Sequence, residues 1–344
     1  MLDGDDAGWG DTSSFRRAGP VGDPPAGGSE TPSRLAHMEQ VPLGPLRASR
    51  VGLGCNNFGR RLDLERTRAV VDAAIAAGIT FFDTADIYGG QGASERMLGE
   101  VLRGRRERVV LATKFGGDMG DGVTARGAPE YVRLALDRSL ERLQTDHVDL
   151  LYYHWPDEVT PIGETVSAMA ELVSAGKVGA IGVSNLTLEQ LDEAVRTAPI
   201  AALQNEYSLL ERGPERDLLP RCRELGVGFV PYYPLAAGLL TGKYRHGAPP
   251  PPGTRWAGEA TMTDGIQVTE QVEASANAFA LVDQLEEYAR SCGHSLLELA
   301  IAGLASRPGV ASVIAGATSA DQVAANAAAG EWRLTPAELA GIPG

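Results

Sequence analysis

The run Phe81-Phe82-Asp83-Thr84-Ala85-Asp86-Ile87-Tyr88-Gly89 decides how this 344-residue chain is read. Two bulky apolar residues of strand character deliver Asp83, and a short turn presents the Tyr88 phenol five positions later. The same arrangement recurs downstream. Lys114 ends Val109-Val110-Leu111-Ala112-Thr113-Lys114, and His154 follows Val148-Asp149-Leu150-Leu151-Tyr152-Tyr153. An acid, a phenol, an ammonium and an imidazole therefore each leave the C-terminal end of a strand-like run. Parallel α/β sheets and barrels place their chemistry at such ends.

Working outward, strands and helices alternate along the chain. Strand signals fall at Val51–Leu53, Ile79–Asp83, Val109–Lys114, Val148–Tyr153, Val178–Val183, Ala201–Asn205, Val227–Tyr233 and Val310–Ala315. Helical spacing fills the intervals: Leu64–Ala77, Ser94–Leu102, Pro129–Gln144, Ile162–Ala175, Leu188–Thr197 (with Thr187 as its cap), Glu215–Leu225, Phe279–Ser291 and Ala320–Ala329. Near-continuous apolar strands alternating with helices predict a helix-covered parallel sheet. Eight such units suit a closed (β/α)8 TIM barrel, whose usual size is about 250 residues. The pieces around Gly44-Pro45, within Val41–Gly54, predict an N-terminal β-hairpin. The insertion Arg245–Ala278 follows the seventh strand, which would place it over the catalytic face.

Residues 1–37 are rich in Gly, Pro, Asp and Ser and lack aliphatic periodicity, so they read as a disordered leader, with Met38 a candidate natural start. They have no signal-peptide core. Residues 38–344 form the barrel domain. A formal charge of −14 argues against nucleic acid as a partner. No apolar run is long enough to span a bilayer, so no membrane partner is expected. Three widely spaced cysteines, without a CxxC pair, suit reduced thiols and a cytoplasmic location.

Carbonyl reduction explains why these four side chains belong together. As hydride reaches carbon, charge grows on oxygen, and the enzyme must stabilise it and supply a proton. A phenol does both, but its ordinary pKa near 10 makes it a reluctant acid. A neighbouring ammonium favours the phenolate, a carboxylate holds that ammonium, and an imidazole orients the carbonyl. Taken singly, Asp83 is as easily a turn former, Lys114 a solvated strand end, and His154 or Tyr88 a core residue. The joint order and spacing favour a catalytic group, with no metal required.

Asp83-x4-Tyr88, Ala112-Thr113-Lys114-Phe115 and Tyr153-His154-Trp155-Pro156 together resemble the aldo-keto reductase family of NAD(P)H-dependent (β/α)8 barrels, from about Pro42 to Ala329. The resemblance implies Tyr88 as general acid, Lys114 and Asp83 as its supports, His154 as substrate orienter and Trp155 as a pocket wall. It assigns Ser184, Asn185 and Gln204 to the nicotinamide carboxamide and Tyr232 to stacking on the ring. Leu235, Ala237, Gly238 and Lys243 fall near the phosphates, and Gly316, Thr318, Gln322 and Asn326 near the adenosine. Departures are Tyr233 where Ser is common, Thr318 where Arg is frequent and Ala325 where Glu is expected. No Lys or Arg occurs between Gly309 and Gly330. The implied cofactor is NADPH, with NADH open, and the implied partner a small-molecule carbonyl substrate. Cys55 reads as an inert thiol near the pocket. Two other readings are a reductase of nucleotide-linked keto sugars, with Arg245 and Arg255 as its basic groups, and a cofactor-binding regulatory protein like the potassium-channel β subunits. Oligomeric state and substrate identity are not legible.

Overall fold

Strands β1 (Gln40–Leu43) and β2 (Leu46–Ser49) pair antiparallel as a hairpin, register Leu43 to Leu46. Eight parallel strands follow: β3 (Val51–Gly54), β4 (Phe81–Asp83), β5 (Val110–Phe115), β6 (Val148–Tyr153), β7 (Val178–Ser184), β8 (Ile200–Glu206), β9 (Gly228–Tyr232) and β10 (Val313–Gly316). They are ordered β10-β3-β4-β5-β6-β7-β8-β9, and a parallel bridge between Phe229 and Val310 closes the ring. The computed structural model describes residues 38–252, 254, 256–257 and 276–344. The sequence reading of residues 1–37 as a leader, and residues 258–275 of the insertion, lie outside the described residues.

Alternation along each strand divides the core in two, as a pleated strand requires. Phe81, Ala112, Leu150, Tyr152, Ala180, Ala202, Val230 and Ile314 point into the barrel. Phe82, Leu111, Leu151, Tyr153, Ile181, Leu203 and Phe229 face the helices. The hairpin stoppers the bottom of the barrel: Leu43 and Ala48 are fully buried in the interior cluster. Everything left open is at the other end, where the strands finish.

The helices are α1 (Leu64–Ala76), α2 (Ala93–Val101), α3 (Pro129–Leu143), α4 (Ile162–Ser174), α5 (Leu188–Thr197), α6 (Leu218–Leu225), α7 (Ala276–Ser291), α8 (Leu296–Ala305), α9 (Ala320–Ala329) and α10 (Pro336–Gly341). Thr187 caps α5 through a capping box with Gln190. The seventh unit corrects the sequence reading. The helix packed inward between β9 and β10 is α8, and α7 packs on it. All of Leu299–Ala305 is buried, so α8 is apolar all round and shows no amphipathic stripe to periodicity.

Candidate active site

Register brings the four predicted side chains to the upper mouth. Asp83 ends β4 opposite Ala112 of β5, and Lys114 lies opposite Tyr152 of β6. Tyr152 in turn lies opposite Gly182 of β7. A Cβ at Gly182 would overlap the Tyr152 ring, so only glycine lets that ring lie flat beneath Lys114, whose Nζ is 5.9 Å from its centroid.

Lys114 is wholly enclosed, and its ammonium donates to three oxygens: Asp83 Oδ2 at 2.5 Å, the Thr84 carbonyl at 3.1 Å and Tyr88 Oη at 3.3 Å. An ammonium has three N–H groups and no acceptor. The Tyr88 oxygen therefore receives that bond on a lone pair, and its own proton is left for another acceptor. Asp83 uses its second oxygen, Oδ1, to accept from Gln204 Nε2 at 3.0 Å. His154 stands edge-on to the Tyr88 ring, centroids 5.8 Å apart, and stacks on Trp155 at 3.6 Å. Its Nδ1 is buried without a partner among the described residues. Burial, and then Lys114, hold the imidazole well below its ordinary 6.5, so it is neutral.

A cavity of about 590 Å³ opens above these groups. Tyr88, Asp83, His154, Trp155, Asn185, Gln204, Tyr232, Leu235, Ala237, Gly238, Lys243, Gly316, Thr318, Gln322 and Asn326 all line it. Lys114 and Ser184 lie behind its wall, both fully buried. The Ser184 hydroxyl donates to the Gln204 carbonyl at 2.8 Å and accepts from Asn185 Nδ2 at 3.1 Å. Asn185 also donates to the His154 carbonyl at 2.9 Å and accepts from Tyr232 Oη at 2.8 Å. It does so from a left-handed backbone, φ +58°, a cost tolerated where the side chain must be aimed. Three successive left-handed residues, Ala236, Ala237 and Gly238, follow β9, and the Ala236 and Gly238 N–H groups donate to the Tyr233 and Leu235 carbonyls at 2.9 and 2.8 Å, which closes the turn. At Gly238 a Cβ would press on the Lys243 ammonium at 3.2 Å. At the far side, Thr318 N and Oγ1 both donate to Gln322 Oε1, at 2.8 and 3.2 Å.

Several lining residues escaped the sequence reading. Asn56 and Asn57 come directly after β3, so the strand-end rule applied to that loop points to them. Asn57 Nδ2 donates to the Ala317 carbonyl at 3.4 Å, tying this loop to the Gly316 turn. Thr241 lies within the run after the seventh strand but was not singled out, whereas Arg61, Thr254 and Leu297 left no signal, because a loop cation, an insertion residue and a missed helix carry no pattern of their own. Thr254 brings part of the insertion to the cavity. Cys55 lines it too, with its thiol pushed up by burial and then by Asp83. Arg245 pairs with Glu286 at 3.3 Å outside the cavity wall, and Arg255 lies outside the described residues. Among the described residues no group of three or more His, Cys, Asp or Glu side chains could hold a metal ion, and no helix is long and apolar enough to cross a membrane.

A strand-end carboxylate, ammonium, phenol and imidazole at the mouth of a (β/α)8 barrel define a class of carbonyl-reducing oxidoreductases. A model of the aldo/keto reductase family matches residues 50–343, and the chain belongs to that family. It is 35% identical over 310 residues to the L-glyceraldehyde 3-phosphate reductase of Escherichia coli (strain K12), covering 86% of this chain and 88% of that one. The aldo-keto reductase YhdN of Bacillus subtilis is 34% identical over 298 residues, 84% and 87% covered. Among solved structures, the holo form of the aldo-keto reductase AKR11C1 from Bacillus halodurans superposes with a TM-score of 0.72 at 32% identity, covering 89% of this chain and 95% of that one.

Proposed function

We propose that this enzyme reduces a small aldehyde or ketone to an alcohol with NADPH, and that Tyr88 is the general acid. The observation that carries the proposal is the three-way commitment of Lys114. Because its ammonium donates to the Tyr88 oxygen, that oxygen serves as acceptor toward Lys114, and the O–H is the group that would be donated to a carbonyl oxygen in the cavity. The same positive charge stabilises the phenolate left behind. Asp83 fixes Lys114, and Gln204 fixes Asp83. A neutral His154 has one N–H to offer the carbonyl oxygen and adds no competing positive charge.

The cavity's donor set fits a dinucleotide. Asn185 and Gln204 are the amides to pair a carboxamide, Tyr232 is the platform for a flat ring, and Lys243 beside the loop after β9 supplies positive charge for a pyrophosphate. When bound, the reduced nicotinamide supplies the hydride. Tyr88 supplies the proton, so carbonyl, hydride and proton sum to the alcohol, and solvent reprotonates the phenolate. The Escherichia coli relatives are named for a phosphorylated aldehyde, and Arg61 and Lys243 are the cations lining this cavity. Short phosphorylated aldehydes therefore head the substrate panel. Of the two basic groups named for the keto-sugar reading, Arg245 pairs with Glu286 and Arg255 lies outside the described residues, so no described residue favours that reading over a simple carbonyl.

The test is steady-state oxidation of NADPH and NADH against a carbonyl panel, with Tyr88→Phe alongside. The variant should lose roughly 10²–10⁴-fold in kcat while its nucleotide affinity, read by fluorescence quenching, stays near wild type. Undiminished turnover in Tyr88→Phe would remove the phenol from the mechanism. Tight nucleotide binding with no turnover on any carbonyl would instead favour the regulatory reading.

A further inference from the structure

Asp86 is a buried carboxyl that the mechanism above does not use. It lies in the turn between β4 and Tyr88 and is 2% exposed. Its backbone N–H donates to the Lys114 carbonyl at 3.0 Å, pinning the turn to the strand that carries the ammonium. Two residues on, the Tyr88 N–H donates to the Ala85 carbonyl at 3.2 Å, and the Tyr88 carbonyl accepts from Ser94 of α2 at 3.1 Å. Any shift of the Asp86 side chain therefore bears on the phenol through a few covalent bonds.

The surroundings give Asp86 no cation of its own. Glu95 of α2 is fully buried, and it takes Arg142 Nε of α3 at 2.6 Å and Thr113 Oγ1 of β5 at 2.5 Å. Arg142 Nη2 donates to Ser139 Oγ at 3.1 Å. Arg126, from the β5–α3 loop, is committed to Tyr131, Asp118 and Asp121. Asp86 Oδ1 is left buried with no hydrogen-bond partner among the described residues. Asp86 and Glu95 are thus two buried carboxyls that repel each other, and the hydrogen-bonded guanidinium belongs to Glu95. An uncompensated buried carboxylate is costly, and the group neutralises instead.

We propose that Asp86 is a positioning residue held as a neutral carboxylic acid beneath the Tyr88 turn, and that its ionisation loosens this turn and sets an alkaline limit on activity. The functional half rests on the reading of Tyr88 as the acid; the protonation half stands without it. Burial, and then Glu95, push the carboxyl up to about 8, against the opposing pull of Arg142, the Ile87 N–H and Arg126. The sign follows. The native state keeps a proton that the unfolded chain releases above 3.8, so stability declines as pH rises from there toward 8 and levels off above it.

Infrared spectroscopy of the full chain without added nucleotide tests this directly. At neutral pH a carbonyl-stretch band of a protonated carboxylic acid should be present, should titrate away near pH 8, and should be missing in Asp86→Asn. In Glu95→Gln, which removes the like charge, its midpoint should move to lower pH. The melting temperature of Asp86→Asn relative to wild type should rise between about pH 5 and about pH 9. Its kcat at neutral pH should stay within about threefold of wild type, and the fall of kcat/KM centred near pH 8 should be lost. Absence of the acid band, or an Asp86→Asn melting deficit that is constant across that range, overturns the assignment, because an ionised, paired carboxylate gives that pattern. An alkaline fall unchanged in Asp86→Asn would overturn the functional half alone.

Discussion

Lys114 shows how much one enclosed side chain can organise. Its three donations consume every N–H it has, and each acceptor comes from the β4 strand end or the turn after it. A buried ammonium is tolerable only because Asp83 offsets its charge, and removing either partner of such a pair typically costs about 3–5 kcal/mol. His154 faces the same desolvation with no carboxylate to compensate, and Lys114 adds repulsion, so it stays neutral. Its effect on stability has the opposite pH sense to the usual histidine. Below 6.5 the unfolded chain binds a proton that the native imidazole refuses, so stability drops as pH falls through that value. Urea unfolding at about pH 7.5 and about pH 5.5 should show this loss, and His154→Gln should reduce it. Activity should show no acid limb near 6.5 from this residue; a limb there that vanishes in His154→Gln would contradict its neutrality.

Among the elements, α5 and α8 were read with opposite success for one physical reason. Helix α5 is half exposed and amphipathic, so periodicity and Thr187 reveal it. Helix α8 is enclosed by β10, α7 and α9, and its apolar residues run continuously through Leu299-Ala300-Ile301-Ala302. A signal did exist: Ser295 and Glu298 form a capping box directly before the apolar run. The short β4 strand is the reverse case, predicted from Ile79 but assigned only over Phe81–Asp83: the Thr80 N–H donates to the Ser49 hydroxyl of the hairpin, although the Thr80 carbonyl still accepts from Val110 of β5. Since α8 fills the layer against the seventh and eighth strands, Leu299→Ala should cost about 2–5 kcal/mol, measurable by urea unfolding with an unchanged slope. A loss under about 1 kcal/mol would mean that α8 is not part of the barrel's shell.

For the molecule as a whole, the cavity wall is drawn from β3, β4, β8, β9 and β10, from the loops after β3, β4, β6, β7 and β9, and from α8 and α9. A ligand held there bridges both halves of the closed sheet. Nucleotide binding should therefore stabilise the barrel as one unit, by roughly 2.7 kcal/mol at a concentration of about 100 times Kd. A single, upward-shifted thermal transition, with hydrogen-exchange protection spread around the strands and strongest at 236–241, is the expected result. Two transitions, only one of them moved by nucleotide, would show that the halves unfold separately. The overall charge of −14 repels an anionic ligand, so Arg61 and Lys243 at the cavity matter more than the chain's average.

The alternation of apolar strands with helices was sufficient for the barrel, since backbone period and strand-end position are local properties that residue order encodes. The same holds for Asp83, Lys114 and His154, each at the end of a strand-like run, and for Tyr88 in the turn that follows the first of them. What Gln204 touches, why Gly182 must be small, how Asn57 comes to face the Gly316 turn and how Arg61 comes to line the cavity were decided only by folding. Those contacts join residues on different strands, and their distances depend on register and ring closure rather than on neighbours in the chain. Asp86 belongs to the second kind: beside Tyr88 in sequence it looks like an ordinary turn acid, and only the packing of α2 and α3 around it removes the water and the cation that would keep it charged.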